Sequence, residues 1–134
     1  MSKWTIDKIN LPLNVDWKIS RGQTKTKENL VITYREGKLQ GRGEVSFLTG
    51  AGPSVKEVLS FFDEFIQSVP KEVNGLEDFT QILEAGDFPS NLKCALETAY
   101  VGFLAELMQD STQRVLGIRD VSNIETSMSI PHMD

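Results

Sequence analysis

The apolar residues of this chain change period once, near Gly52, and that change constrains the fold more than any other feature. Beyond it, Val55, Val58, Leu59, Phe62, Phe65, Ile66 and Val69 recur at i, i+3, i+4, i+7, i+10, i+11 and i+14, the spacing of one continuous helical face. Ser54 and Glu57 supply an S-x-x-E capping box, in which the serine oxygen accepts an N–H of the first turn while the glutamate reaches back. A helix is therefore predicted from Ser54 to just before Pro70, which cannot continue it. A shorter helix is predicted over 76–83, ended by Ala85-Gly86. Ser90 is expected to cap a longer one with apolar positions Leu92, Ala95, Leu96, Ala99, Phe103 and Leu107. Because Ala95, Ala99, Gly102 and Ala105 are small, another element can approach this helix closely.

Before Gly52 the pattern is that of strands. Trp4, Ile6 and Ile9 open with roughly period-two spacing, and Leu11-Pro12-Leu13 is expected to break the run, because proline cannot donate to a ladder. A loop is then expected through Ser20-Arg21-Gly22. The stretch Asn29-Leu30-Val31-Ile32-Thr33-Tyr34 is rich in β-branched and aromatic residues, and Glu36-Gly37 turns into a partner strand over 38–47. Connections this short join neighbours, so the economical arrangement is a three-stranded antiparallel meander. Strands first and helices after indicate an α+β fold with a helical layer on one face of the sheet. Toward the C-terminus a helical turn is expected near Arg114 to Leu116, ended by Gly117. Strand character returns over 122–130, with Ile124, Thr126, Met128 and Ile130 on one face.

Composition narrows the function. With 40% hydrophobic and 25% charged residues the chain is globular in type, and 134 residues hold one ordinary domain with a core. A net charge of −5 without a basic stripe argues against nucleic acid as a partner. No apolar run approaches the roughly 20 residues of a membrane span, so no membrane partner is expected. The first ten residues lack the charged-then-apolar layout of a secretory signal, and the single cysteine, Cys94, has no second cysteine to pair with. These features make a cytoplasmic location the expectation, and a homo-oligomer is compatible with them.

No motif here performs catalysis unaided, and no catalytic or metal-ligating residue is assigned. The one histidine, His132, lies near the C-terminus, and Cys94, next to the apolar Ala95-Leu96 pair, is expected to be a packed thiol. Neither Gly41-Arg42-Gly43 nor Gly50-Ala51-Gly52 fits a phosphate loop, and these glycines are expected to serve a bulge and a turn. Most carboxylates fall on polar sides of helices, where solvated charge is the default. Two features remain. In the loop Ile19 to Thr26, Arg21 either belongs to a basic, mobile surface loop, which is what the residues by themselves favour, or offers a planar fork to a carboxylate. In the second predicted strand of the hairpin, Glu44 either faces solvent or makes a fixed contact with a neighbouring domain.

Both features lie in segments that resemble the N-terminal capping domain of the enolase superfamily, especially its muconate-lactonizing subgroup. The resemblance is carried by Trp17-Lys18-Ile19-Ser20-Arg21-Gly22-Gln23-Thr24, by Gly41-Arg42-Gly43-Glu44-Val45, and by Ala95-Leu96-Glu97-Thr98-Ala99. It continues in Glu125-Thr126-Ser127-Met128-Ser129-Ile130, similar to that family's first barrel strand. It implies a cap over 1–120 and the first strand of a (β/α) barrel over 121–134. The rest of the barrel, a fold of roughly 250 residues, would not fit in this length. In such enzymes a Mg²⁺ held by the barrel binds the substrate carboxylate, and a barrel lysine removes the α proton; no such position is expected in this chain. What the resemblance does carry onto this chain is substrate contact: Ile19, Ser20, Arg21 and Thr24 in a first loop, Leu48 and Gly50 in a second loop over 48–53, and Thr126 and Ser127 in the barrel strand. The implied partner is a small carboxylate substrate shared with the barrel. The loop around Arg21 most resembles dipeptide epimerases; o-succinylbenzoate synthase and muconate cycloisomerase are alternatives, because the second loop lacks a Tyr-Gly-Glu-Ser run. A free-standing α+β binding or dimerisation module is the alternative of another class.

Overall fold

The computed structural model describes residues 3–19, 22–48, 50–119 and 125–126. Strands β1 (Trp4–Ile19), β2 (Gly22–Glu36) and β3 (Leu39–Val45) form one antiparallel sheet in sequence order. Helices α1 (Val55–Ser68), α2 (Leu76–Ala85) and α3 (Ser90–Met108) follow, then the single turn α4 (Thr112–Val115). The predicted meander and helical layer are thus present. The two-residue connection Gly37-Lys38 joins Glu36 to Leu39, with Gly37 at φ 61°, a conformation that costs glycine little.

The first two strands are longer than the sequence suggests. Pro12 does not end β1: it stands opposite Thr26, and the ladder resumes with Trp17 opposite Thr24. Residues 13–16 therefore face Lys25 alone, a local irregularity that follows the proline. Proline is tolerated there because β1 is an edge strand, where an N–H directed away from β2 is not needed for pairing. The expected loop from Ile19 to Thr26 is in large part a hairpin ladder, with Ile19 opposite Gly22 and Lys18 opposite Gln23. Since β3 pairs only from Leu30 to Glu36 of β2, the rest of β1 and β2 projects as a two-stranded ribbon.

Alternation sends Trp4, Leu30, Ile32, Tyr34 and Val45 to the helical side, where they are buried. There they meet Phe62 and Phe65 of α1, Phe79 and Leu83 of α2, and Leu92, Leu96, Tyr100 and Phe103 of α3. Aromatic rings dominate this core. Trp4 stacks on Phe79 at 5.4 Å and meets Phe65 edge-on at 5.3 Å, while Tyr34 meets Phe103 edge-on at 4.7 Å.

Close approach of α3 to β3 explains the glycines of the hairpin. Gly41 and Gly43 are not bulge residues, as the sequence reading had them; both are buried under the helix. A Cβ on Gly43 would overlap the Ala95 carbonyl oxygen and lie 2.7 Å from its carbon, and one on Gly41 would overlap the Ala99 carbonyl. The two spacings match. Glycines two apart on a strand are about 6.8 Å apart, and alanines four apart on a helix about 6 Å. Gly102 continues the stripe, its own missing Cβ falling 3.3 Å from Gly41 Cα. Small residues on both elements let the backbones meet, as the run Ala95, Ala99, Gly102 predicts. Across the other end of the contact, the Gln40 backbone N–H donates to Glu106 at 2.8 Å.

Three further expectations about α3 need correction. Ser90 is its first residue, not its cap: Pro89 occupies the cap position, and no side chain bonds there. Cys94 is exposed, because at this point the helix turns its Ala95-Leu96 side to the core. Leu107 is 53% exposed, since the last turn of α3 runs past the sheet.

The start of α1 matches its prediction in detail. The Glu57 N–H donates to Ser54 Oγ at 3.3 Å, the Ser54 N–H donates to Glu57 Oε2 at 2.8 Å, and the Ser54 hydroxyl donates to the same oxygen at 2.6 Å. The hydroxyl, then the backbone N–H, hold the Glu57 carboxyl below its ordinary pKa. A depressed acid contributes stability above its unfolded-state pKa and loses it as pH falls through the folded-state value. Ser54→Ala removes the helix N-cap and is expected to cost about 1 kcal/mol at neutral pH. It should also flatten the acid limb of the stability profile. Thermal unfolding between pH 7 and pH 3 measures both; an unchanged acid limb would contradict the shared hydrogen bonds.

Candidate functional site

The chain leaving β3 makes a loop in which two of the predicted contact residues, Leu48 and Gly50, sit together. Leu48 and Ala51 form an isolated antiparallel bridge, with the Ala51 N–H donating to the Leu48 carbonyl at 3.4 Å. Gly50 (φ 71°) and Gly52 (φ 81°) supply the left-handed conformations that fold this turn back into the Ser54 cap. Leu48 is thereby held 75% exposed at the turn. The base is anchored, because Asn91 at the start of α3 donates to the Ser46 carbonyl at 3.1 Å and Lys27 of β2 donates to Ser46 Oγ at 3.3 Å. A shallow groove of about 390 Å³ runs between this turn and β2, bordered by Glu28, Phe47, Leu48, Gly50, Ser54 and Glu57.

Glu28 marks where the hairpin ribbon meets the turn. Its carboxylate pairs with Lys8 of β1 at 3.8 Å. From there the ribbon continues: Thr24 lies four residues and Gly22 six residues closer to the tip, roughly 13 Å and 20 Å at the strand rise. Thus Leu48 and Gly50 are neighbours, while Ile19 and Thr24 sit on ladder positions some way beyond them. Ser20 and Arg21 lie outside the described residues, as does Ser127. Thr126 is exposed and belongs to neither helix nor strand, as does Glu125. The rest of the predicted strand over 122–130 also lies outside the described residues.

Glu44 is on the sheet face away from the helices, and its carboxylate accepts from Asn29 Nδ2 at 2.5 Å. Asn29 is only 3% exposed, and its Oδ1 has no hydrogen-bond partner among the described residues. The sequence reading singled out Glu44 but missed Asn29, whose only signal was a polar amide directly before the apolar Leu30-Val31-Ile32 run. This pair fixes the Glu44 carboxylate against the sheet.

Glu57, which borders the groove, is held ionised by its cap. Among the described residues no group of three or more His, Cys, Asp or Glu could hold a metal ion. No helix among them is long and apolar enough to cross a membrane. What this end of the molecule offers is contact: an exposed leucine, turn backbone, and a ribbon paired as far as Ile19 and Gly22.

No family model matches the chain, and no curated protein matches it. Solved structures do. A Listeria innocua member of the enolase superfamily superposes with a TM-score of 0.75 at 18% identity, over 87% of this chain and 33% of that one. An enolase family member from Agrobacterium tumefaciens with homology to dipeptide epimerases, solved with sodium, L-Ala-L-Glu and an ordered loop, gives 0.72 at 20% identity. That match covers 85% of this chain and 34% of the other. A dipeptide epimerase from Enterococcus faecalis, complexed with Mg and L-Leu-L-Tyr, gives 0.69 at 16% identity over 81% and 32% of the two chains. This chain spans about a third of the length of these proteins. Its three-stranded meander with a helical layer is the N-terminal cap fold of the enolase superfamily.

Proposed function

We propose that this chain is the substrate-selecting cap of an enolase-superfamily enzyme that removes the proton α to a carboxylate, in particular a dipeptide epimerase. The observation that carries this reading is a cap fold in which the turn with the exposed Leu48 lies beside a two-stranded ribbon that pairs as far as Ile19 and Gly22. Support comes from the similar proteins of known structure, two of which hold dipeptides. In this role Leu48 and Gly50 form one wall over the substrate, and Ile19, Ser20, Arg21 and Thr24 form the other. Arg21 pairs with a carboxylate of the dipeptide, and Thr126 and Ser127 contact it from the barrel side, 1–120 being the cap and 121–134 the first barrel strand. Closing two loops over a small anionic substrate excludes water and strengthens the electrostatics beneath them.

The described residues do not fit a Mg²⁺ site, so the metal and the proton-transfer groups of such an enzyme are assigned to the barrel and no chemical step to this chain. A cytoplasmic, small-molecule enzyme is the setting proposed. The test is α-proton exchange of L-Ala-L-Glu in deuterated solvent with Mg²⁺, followed by NMR. The product of the reading frame that contains this chain is expected to exchange the α proton of the glutamate, and the 134 residues alone are expected not to. Exchange by the 134 residues alone would overturn the division of labour. No exchange by the longer product on any dipeptide would overturn the epimerase reading.

A further inference from the structure

At the end of the sheet away from the hairpin ribbon, a half-open cavity of about 430 Å³ lies between the start of β1 and the segment that leaves α1. Its lining is largely aromatic, with Trp4, Tyr34 and Tyr100, all buried, forming its floor. Val73 closes one side, and Lys3 and Lys71 stand at the rim. Volume and lining, an apolar body with a few converging polar groups, are those of a small-molecule site.

The polar groups set what such a molecule must be. The Tyr34 hydroxyl donates to Glu36 at 3.3 Å and the Tyr100 hydroxyl to the Val73 carbonyl at 3.4 Å, both longer than the usual 2.7–2.8 Å of an O–H···O bond. Burial pushes both phenols above their ordinary pKa, so they remain protonated donors at neutral pH. Lys3 is engaged by Glu36 at 3.0 Å. Lys71 is exposed and has no ion pair among the described residues. A cationic ligand would meet two ammonium groups, while the carboxylates that act on the floor phenols are already engaged, Glu36 by Lys3 and Asp78 by the Asn74 backbone N–H at 2.8 Å. An anionic ligand would complement the unpaired one.

We infer that this cavity binds a small carboxylate with an aromatic or branched apolar body, which lies on Trp4, Tyr34 and Tyr100 while its carboxylate pairs with Lys71. The inference stands independently of the cap reading, because it uses none of the loop residues assigned above. A molecule of this kind gains from both halves of the site: ring contact with an aromatic floor and a charge-assisted hydrogen bond at its edge.

Phenylacetate is a suitable probe, titrated into the ¹⁵N-labelled 134-residue chain while amide and indole resonances are followed. Saturable shifts are expected at Trp4 and along 66–73. Acetate, which has the charge without the ring, and phenethylamine, which has the ring with the opposite charge, are expected to bind at least about tenfold more weakly. Lys71→Met should weaken phenylacetate by about tenfold and Lys71→Arg should retain most of the affinity. Neither should change Tm, since an exposed, unpaired side chain supports no packing. Absence of saturable shifts, shifts centred elsewhere, an equal response to phenethylamine, or unchanged affinity in Lys71→Met would each overturn the proposal.

Discussion

Gly43→Ala is expected to destabilise the fold by about 3 kcal/mol or more, the upper end of what overpacking costs. The added methyl would overlap the carbonyl oxygen of Ala95 and sit 2.7 Å from its carbon and 3.0 Å from its Cα, all backbone atoms that no rotamer change can move. Helix α3 cannot retreat cheaply. It buries Leu92, Leu96 and Phe103 in the same core, and Gly41 fixes a second point of contact at Ala99. Ala95→Gly should fail to rescue the variant, because the clash is with the carbonyl group and not with the alanine methyl. Gly37→Ala is the control: its Cβ would enter open space, so only the positive φ of 61° opposes it, at about 1 kcal/mol. Chemical denaturation of the three variants measures the ranking. A Gly43→Ala cost no larger than that of Gly37→Ala would contradict the close packing of α3 on β3.

Helices were readable from the sequence because their signals are local. The face from Val55 to Val69, the Ser54–Glu57 box and the stop at Pro70 all lie within one short segment, and the structure places α1 there. Strand extent was not readable in the same way. Whether β1 continues past Pro12 depends on its position at the sheet edge and on a partner, Thr26, that the local sequence does not reveal. The hairpin glycines depend on α3, more than fifty residues away in the chain, so their spacing alone suggested a bulge. The small-residue stripe of α3 was the complementary half of that signal. It was recognised as a close-approach surface, but its partner could not be named without the sheet. Cys94 and Leu107 show the limit of helical periodicity: one lies just beside the buried stripe and the other past the end of the sheet that would cover it.

The candidate site was legible unevenly. The turn carrying Leu48 and Gly50 follows from two glycines and a helix cap, all local. Ile19 and Thr24 were placed in a loop, whereas both pair across a ladder, because strand pairing is non-local and a polar Gln-Thr-Lys-Thr-Lys run carries no apolar alternation. Asn29 escaped notice because a buried polar side chain on an otherwise open sheet face has no periodic signature. The cavity over Trp4, Tyr34 and Tyr100 combines residues from β1, β2 and α3, and no single segment of sequence announces it.

The proposed substrate contact of Arg21 is tested most directly by its substitution in the product of the reading frame that contains this chain. If the guanidinium pairs with a substrate carboxylate, Arg21→Ala removes a charge-assisted hydrogen bond of about 1.5–3 kcal/mol. The corresponding loss in kcat/KM is about tenfold to a hundredfold, since each 1.36 kcal/mol is a factor of ten. Arg21→Lys should recover only part of it, because a point charge cannot reproduce a planar fork. The measurement is kcat/KM for the preferred dipeptide alongside Tm, in wild type and both variants. The cap reading predicts the loss in kcat/KM with Tm unchanged. An intact kcat/KM, or a fall in Tm that accounts for the lost activity, would contradict it.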